Sequence, residues 1–296
     1  MPRLIVIALC FLLASVPAFA QHGDHAAALQ ISPATPAFQV PVNEKLPPAS
    51  DQALAVIDKS PRHGEWVDVP NVNGPAIKSW VVYPERREKA PVVMVIHTNQ
   101  GLNDWARAVA DQLAEDGYIA IAPDLLSGFG PGGGASDSMA SADAARKAIS
   151  GVTAAEAAKR LDAVRAYAVK IPAANGKTAT MGFCWGGARS FEYAVAQPAL
   201  DAAIVFYGTS PQNAGDFEKI HAAVLGLYGG DDARVNATIA PASLQMTKLG
   251  KVFEHEIYDG AGHGFVGSQA DRAGANYRAT EKAWPRALAF LEQHLK

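Results

Sequence analysis

The chain has 296 residues, 49% hydrophobic and 19% charged, with 26 glycines and 19 prolines dispersed through otherwise periodic sequence. That excludes a disordered or collagen-like chain and leaves enough apolar sequence for a full core. Lys and Arg number 26 against 29 Asp and Glu, a formal charge of −3 without the concentrated basic surface of a nucleic-acid binder, and two cysteines exclude a disulfide framework or an all-cysteine zinc centre.

The chain opens with Arg3, an apolar run from Leu4 to Ala14, then Pro17 and Ala18-Phe19-Ala20. A basic start, a short apolar stretch and small residues at −3 and −1 predict a signal peptide over residues 1–20, cleaved after Ala20. The run is shorter than the ~20 residues of a membrane span, and Leu9 before Cys10 does not fit a lipid-anchor site. The mature protein is therefore expected to be exported, periplasmic or secreted, without a stable membrane anchor. Cleavage would remove Arg3 and Cys10, leaving Cys184 as the sole thiol. Residues 21–60 read as a Pro-rich arm or linker, because Pro33, Pro36, Pro41, Pro47 and Pro48 come too densely for a helix or central strand. His22, Asp24 and His25 read as solvated polar residues, so no metal and no cofactor are expected.

From residue 61 to 296 strand and helix patterns alternate. Strands are predicted at Ile77 to Tyr83, Val92 to Ile96, Tyr118 to Ala122, Ala179 to Phe183, Ala202 to Tyr207, Ala222 to Tyr228 and Val252 to Tyr258. Helices are predicted at Asn103 to Glu115, Thr153 to Lys170, Trp185 to Ala196, Ala242 to Leu249 and Tyr277 to Leu295. Gly130 to Gly134 lacks the Gly-Lys-Ser/Thr of a phosphate loop and reads as a flexible active-site loop. The alternation predicts an α/β protein with a mostly parallel central sheet and helices on both faces, its chemistry at the carboxyl ends of the strands.

Three strand ends carry chemistry-bearing residues. Gly182-Phe183-Cys184-Trp185-Gly186 has the G-x-S-x-G spacing of the α/β-hydrolase nucleophile elbow, with Cys in place of Ser. Small residues two before and two after the nucleophile let strand and helix pass closely, and the turn aims the Trp185 backbone N–H at a developing oxyanion. A helix N-terminus and a nearby imidazole both favour the thiolate. Asp231 and Asp232 follow the next strand but one, and His263 follows the last, which is the nucleophile–acid–histidine order of an α/β-hydrolase fold. Spacing alone does not separate the two aspartates. Asn99, after the Val92 to Ile96 strand, is the candidate for the second oxyanion-hole N–H, while His97 at that strand's end reads as structural. Thr98 and Tyr207 are candidate pocket residues.

Taken together, these segments resemble the dienelactone hydrolase family (carboxymethylenebutenolidases), over roughly residues 60 to 296. The resemblance is carried by Gly101-Leu102-Asn103, Gly117-Tyr118, Ala122 to Leu125, Gly182 to Gly187, Phe206-Tyr207-Gly208, Tyr228 to Val235 and Ala261 to Phe265. It implies Cys184 as nucleophile, His263 as general base and Asp232, rather than Asp231, as the orienting acid. It implies hydrolysis of a small ester or lactone through an acyl-thioester. Two positions depart from the family pattern. Thr98 stands where many members have a Glu that takes part in thiol activation, so direct activation of Cys184 by His263 is expected here. Gly267 stands where dienelactone-cleaving members present an Arg to the substrate carboxylate, a role Arg146 is a candidate to fill. A broad-specificity carboxylesterase is the neighbouring alternative. A hydrolase-like binding protein of weakened catalysis would show no turnover of activated esters. A thiol redox protein would need a resolving cysteine that the mature chain lacks.

Overall fold

The computed structural model describes residues 1, 38–72 and 74–296. The expected signal peptide (Met1 aside), Cys10, His22, Asp24 and His25 thus lie outside the described residues. Eight strands form one sheet: β1 Gly64–Val69, β2 Ile77–Val82, β3 Ala90–Ile96, β4 Ile119–Pro123, β5 Ala174–Phe183, β6 Ala202–Phe206, β7 Ala223–Gly229 and β8 Phe253–Tyr258. Their order across the sheet is β1-β2-β4-β3-β5-β6-β7-β8. β1 and β2, and β2 and β4, pair antiparallel, and every other pair is parallel. The helices are α1 Ala53–Ile57, α2 Asp104–Glu115, α3 Ala142–Ile149, α4 Ala154–Ala168, α5 Trp185–Ala196, α6 Ala233–Asn236, α7 Ile239–Lys248 and α8 Ala275–His294.

The continuous apolar run of β3 has a direct cause. Val93 and Val95 enter one core with Val109 and Leu113 of α2 and with Trp284 and Phe290 of α8. Val92, Met94 and Ile96 point the other way, into a second core with Leu161 and Val164 of α4, Phe191 of α5 and Met246 of α7. Successive strand side chains face opposite sides, so a strand covered on both must be apolar throughout.

Helix starts follow side-chain chemistry. Asn103 and Thr153, expected inside their helices, sit just before them and accept hydrogen bonds from the backbone N–H groups of Ala106 and Glu156. β5 begins five residues earlier than its apolar run, because backbone pairing with β3 reaches back to Ala174 through an irregularity between Ala90 and Val92.

The residues between 38 and 60 do not form a free arm. They belong to the compact unit Ala37–Lys296. Leu46, Ala49 and Ala53 are buried, and the Pro47 and Pro48 carbonyls accept hydrogen bonds from Gln269 Nε2 (2.8 Å) and Trp105 Nε1 (3.0 Å). Proline bars this stretch from a ladder, but its carbonyls remain good acceptors, and buried side-chain donors use them. Among the described residues no helix is long and apolar enough to cross a membrane.

Candidate active site

Cys184 links the last residue of β5 to the first of α5 with φ 58° and ψ −113°, a strained conformation for a residue with a Cβ. The glycines around it are steric necessities. A Cβ on Gly182 would lie 2.0 Å from the Gly186 carbonyl oxygen, and one on Gly186 would lie 2.3 Å from the carbonyl oxygens of both Ile96 and His97. The elbow is thus wedged between its own helix and the end of β3. Its backbone N–H donates to the Phe206 carbonyl at 3.0 Å, tying it to β6.

Loops from four other strand ends gather around this thiol. His263, after β8, presents its ring to Cys184, and its Nδ1 lies 2.5 Å from Oδ2 of Asp232, after β7. Asp232 is buried, whereas Asp231 is exposed and pairs with Arg272. Of the two adjacent aspartates, Asp232 is the one placed against His263, while Asp231 turns outward. Burial pushes the Cys184 thiol up, but the His263 hydrogen bond and charge, the Trp185 backbone N–H and the Arg234 charge together bring it below its ordinary value. His263 is raised to about 9, first by its hydrogen bond to Cys184 and, against some desolvation, by Asp232. The arrangement favours a thiolate–imidazolium pair.

Tyr207 is buried with φ 42°, and its ring meets the His263 ring edge-on at 5.2 Å. The next residue, Gly208, passes so close to α5 that a Cβ there would lie 2.3 Å from the Ala188 amide nitrogen. Thr98 and Asn99 both border the cavity at Cys184. The Thr98 hydroxyl accepts a hydrogen bond from the Gln100 N–H at 3.3 Å. His97 is fully buried, stacked on Trp185 at 5.8 Å, with Nδ1 2.7 Å from the Thr98 carbonyl and Nε2 3.1 Å from the Leu125 nitrogen. Since a backbone N–H donates to Nε2, Nδ1 carries the proton and holds the Thr98 carbonyl. Burial lowers the His97 pKa, consistent with a neutral ring. The structural reading of His97 is thereby given a geometry: it fixes the loop that carries Asn99.

Two expectations are corrected. Gly130 to Gly134 does not border the Cys184 cavity; it closes on itself through the Gly128 and Gly130 N–H groups donating to the Gly134 carbonyl. Buried Asp124 anchors the segment that follows, accepting from the Ser136 N–H and hydroxyl at 2.8 and 2.7 Å. Arg146 lies on α3, paired with Asp143, and is not part of the cavity lining. The cavity, about 190 Å³, is walled instead by residues that sequence reasoning did not single out for this role, including Ser50, Gln100, Asn103, Trp105 and Ser268. Trp105 carried only a helix-core signal, and nothing local marked Ser50.

A mostly parallel sheet whose strand-end loops converge on a residue at a strained strand-to-helix elbow defines an α/β hydrolase. The model of the dienelactone hydrolase family matches residues 77–295. A "Putative carboxymethylenebutenolidase" of Saccharolobus solfataricus is 30% identical over 250 residues, covering 75% of this chain and 95% of that protein. A protein of the same name from Salmonella typhimurium is 31% identical over 217 residues, covering 69% of this chain and 77% of the other. The solved "Putative Dienelactone Hydrolase" of Klebsiella pneumoniae superposes with a TM-score of 0.69 at 26% identity, covering 78% of this chain and 99% of its own. The chain belongs to the dienelactone hydrolase family and is a hydrolase acting on esters or lactones.

Proposed function

We propose that the enzyme is exported and cleaves a small ester or lactone through Cys184, His263 and Asp232. The observation that carries this reading is the single imidazole joining a buried carboxylate to the thiol, with Nδ1 2.5 Å from Asp232 Oδ2. In the proposed cycle the Cys184 thiolate attacks the carbonyl carbon, and the oxyanion is held by the backbone N–H groups of Trp185 and Asn99. The His263 imidazolium gives its proton to the leaving alkoxide, leaving an acyl-thioester. His263 then takes a proton from water, whose oxygen attacks the thioester, and the thiolate departs as the acid is released. Asp232 holds the ring in the orientation that presents Nε2 to these protons. Export is supported by Arg3, the Leu4 to Ala14 run and Ala18-Phe19-Ala20.

The test is to mix the mature enzyme with p-nitrophenyl acetate and, separately, a dienelactone, following product release and quenched intact mass. Turnover with a transient acetyl adduct mapped to Cys184 is the expected result, and the rate ratio separates lactonase from esterase. A folded enzyme that turns over neither substrate overturns the reading in favour of ligand binding.

Direct activation by His263 predicts a particular pH dependence. The thiol pKa is lowered, so the reactive thiolate is present above that lowered value and lost as pH falls through it. The imidazolium is present below about 9 and lost above it. Iodoacetamide should therefore alkylate Cys184 with a midpoint below the ordinary thiol value of about 8.5, and kcat/KM should be bell-shaped with its alkaline limb near 9. An alkylation midpoint at or above the ordinary value would count against direct activation.

A further inference from the structure

One part of the cavity wall, Ser50, is contributed by chain that precedes the family match, which begins at residue 77. Three hydrogen bonds fasten it: Gln269 to the Pro47 carbonyl, Trp105 to the Pro48 carbonyl, and the Ser50 N–H to the Gly267 carbonyl at 2.9 Å. They deliver the Ser50 side chain to the cavity, where its Oγ lies 2.7 Å from the position a Cβ on Gly267 would take, with the Trp105 ring 3.3 Å from the same point. Residue 267 thus has no room for a side chain unless Ser50 moves.

The remaining space is small. About 190 Å³ is little more than the ~150 Å³ apolar cavity that accommodates benzene, and below the ~300 Å³ at which drug-sized pockets begin. No Lys, Arg, Asp or Glu borders it, and its ionisable groups are Cys184, Tyr207 and His263. Arg234, whose charge reaches the thiol, is exposed and outside the lining. An acyl group bearing a carboxylate would meet no Lys or Arg at the cavity wall, only the His263 ring that already pairs with the thiolate.

We propose that Ser50, held over Gly267 by the upstream segment, is a specificity-determining residue that restricts the enzyme to compact, uncharged acyl groups. The inference rests on Cys184 as the reacting group. Ser50 is exposed, and its backbone bond survives substitution, so Ser50→Gly and Ser50→Leu should fold, which thermal melting verifies.

The experiment compares Cys184 alkylation by iodoacetamide, N-butyliodoacetamide and iodoacetate in wild type and both variants, each rate normalised to a free thiol. Hydrolysis of p-nitrophenyl acetate and hexanoate is measured beside it. Wild type should favour iodoacetamide over both other reagents. Ser50→Gly should raise the butyl-to-parent and hexanoate-to-acetate ratios about tenfold, and Ser50→Leu should lower them. Unchanged ratios in both variants, or a wild-type preference for iodoacetate, would overturn the proposal. Alkylation ratios that shift in an enzyme hydrolysing no ester would leave Ser50 as the wall and refute the hydrolytic cycle. Ester turnover through Cys184 with unmoved ratios would do the reverse.

Discussion

A Cys184→Ala enzyme is expected to lose at least about 10⁴ in kcat/KM on any ester that wild type hydrolyses, at an almost unchanged melting temperature. On the proposed cycle the nucleophile would be gone, leaving only substrate binding and the proposed Trp185 and Asn99 N–H donors. The fold should tolerate it, because alanine carries the same Cβ at the same strained φ and the glycine contacts that shape the elbow remain. A second readout separates loss of the nucleophile from general damage. The first cause of the raised His263 pKa is its hydrogen bond to Cys184, so removing the sulfur should bring that value down from about 9. Histidine ring NMR over pH would show it. Residual activity above a tenth of wild type would mean that another group attacks the carbonyl, and a His263 pKa that stays near 9 would mean that the Cys184 thiol does not hold the ring.

The second large effect lies in the backbone. Gly186→Ala and Gly182→Ala should each destabilise the protein by on the order of 3 kcal/mol or more, a fall of roughly 6–12 °C in thermal melting. The clashing atoms are carbonyl oxygens, 2.3 Å away for Gly186 and 2.0 Å for Gly182, and they belong to the backbone around the end of β3 and in α5, with no rotamers to escape into. Gly264 is the control. It has φ +77° but nothing within 4 Å of the point a Cβ would occupy, so Gly264→Ala should cost only the ~1–2 kcal/mol of left-handed backbone strain. Equal losses at all three positions would show that close approach is not what the elbow glycines serve.

Much of the molecule was legible because its signals are local. A strand buried on both faces must be apolar at every position, as β3 is, and a nucleophile elbow must put glycines at fixed offsets from Cys184. β1 escaped notice for the converse reason. It is an antiparallel edge strand with Glu65 and Asp68 among its six residues, and only Val69 is fully buried. α3 and α6, of eight and four residues, are too short for periodicity to register. The misplaced wall has the same origin. Gly130 to Gly134 looked like an active-site loop from composition, whereas Ser50 acquires its place through Gly267, Gln269 and Trp105, which lie far along the chain. No window of sequence contains that relation.

The bond from Gln269 to the Pro47 carbonyl joins residues 222 positions apart. Closing so long a loop is an entropic cost that favours forming the contact late, after the sheet and α8 are in place. The Cys184 elbow and the Ser50 side of the cavity therefore belong to different stages of folding: one is built with the parallel core, the other docks onto the finished core. Opening this segment would expose Leu46, Ala49 and Ala53 and break three hydrogen bonds yet leave every strand pair of the sheet in place, so it costs less than global unfolding. The breadth of the site is then a matter of local equilibrium, set by temperature and denaturant well below the point at which the enzyme unfolds.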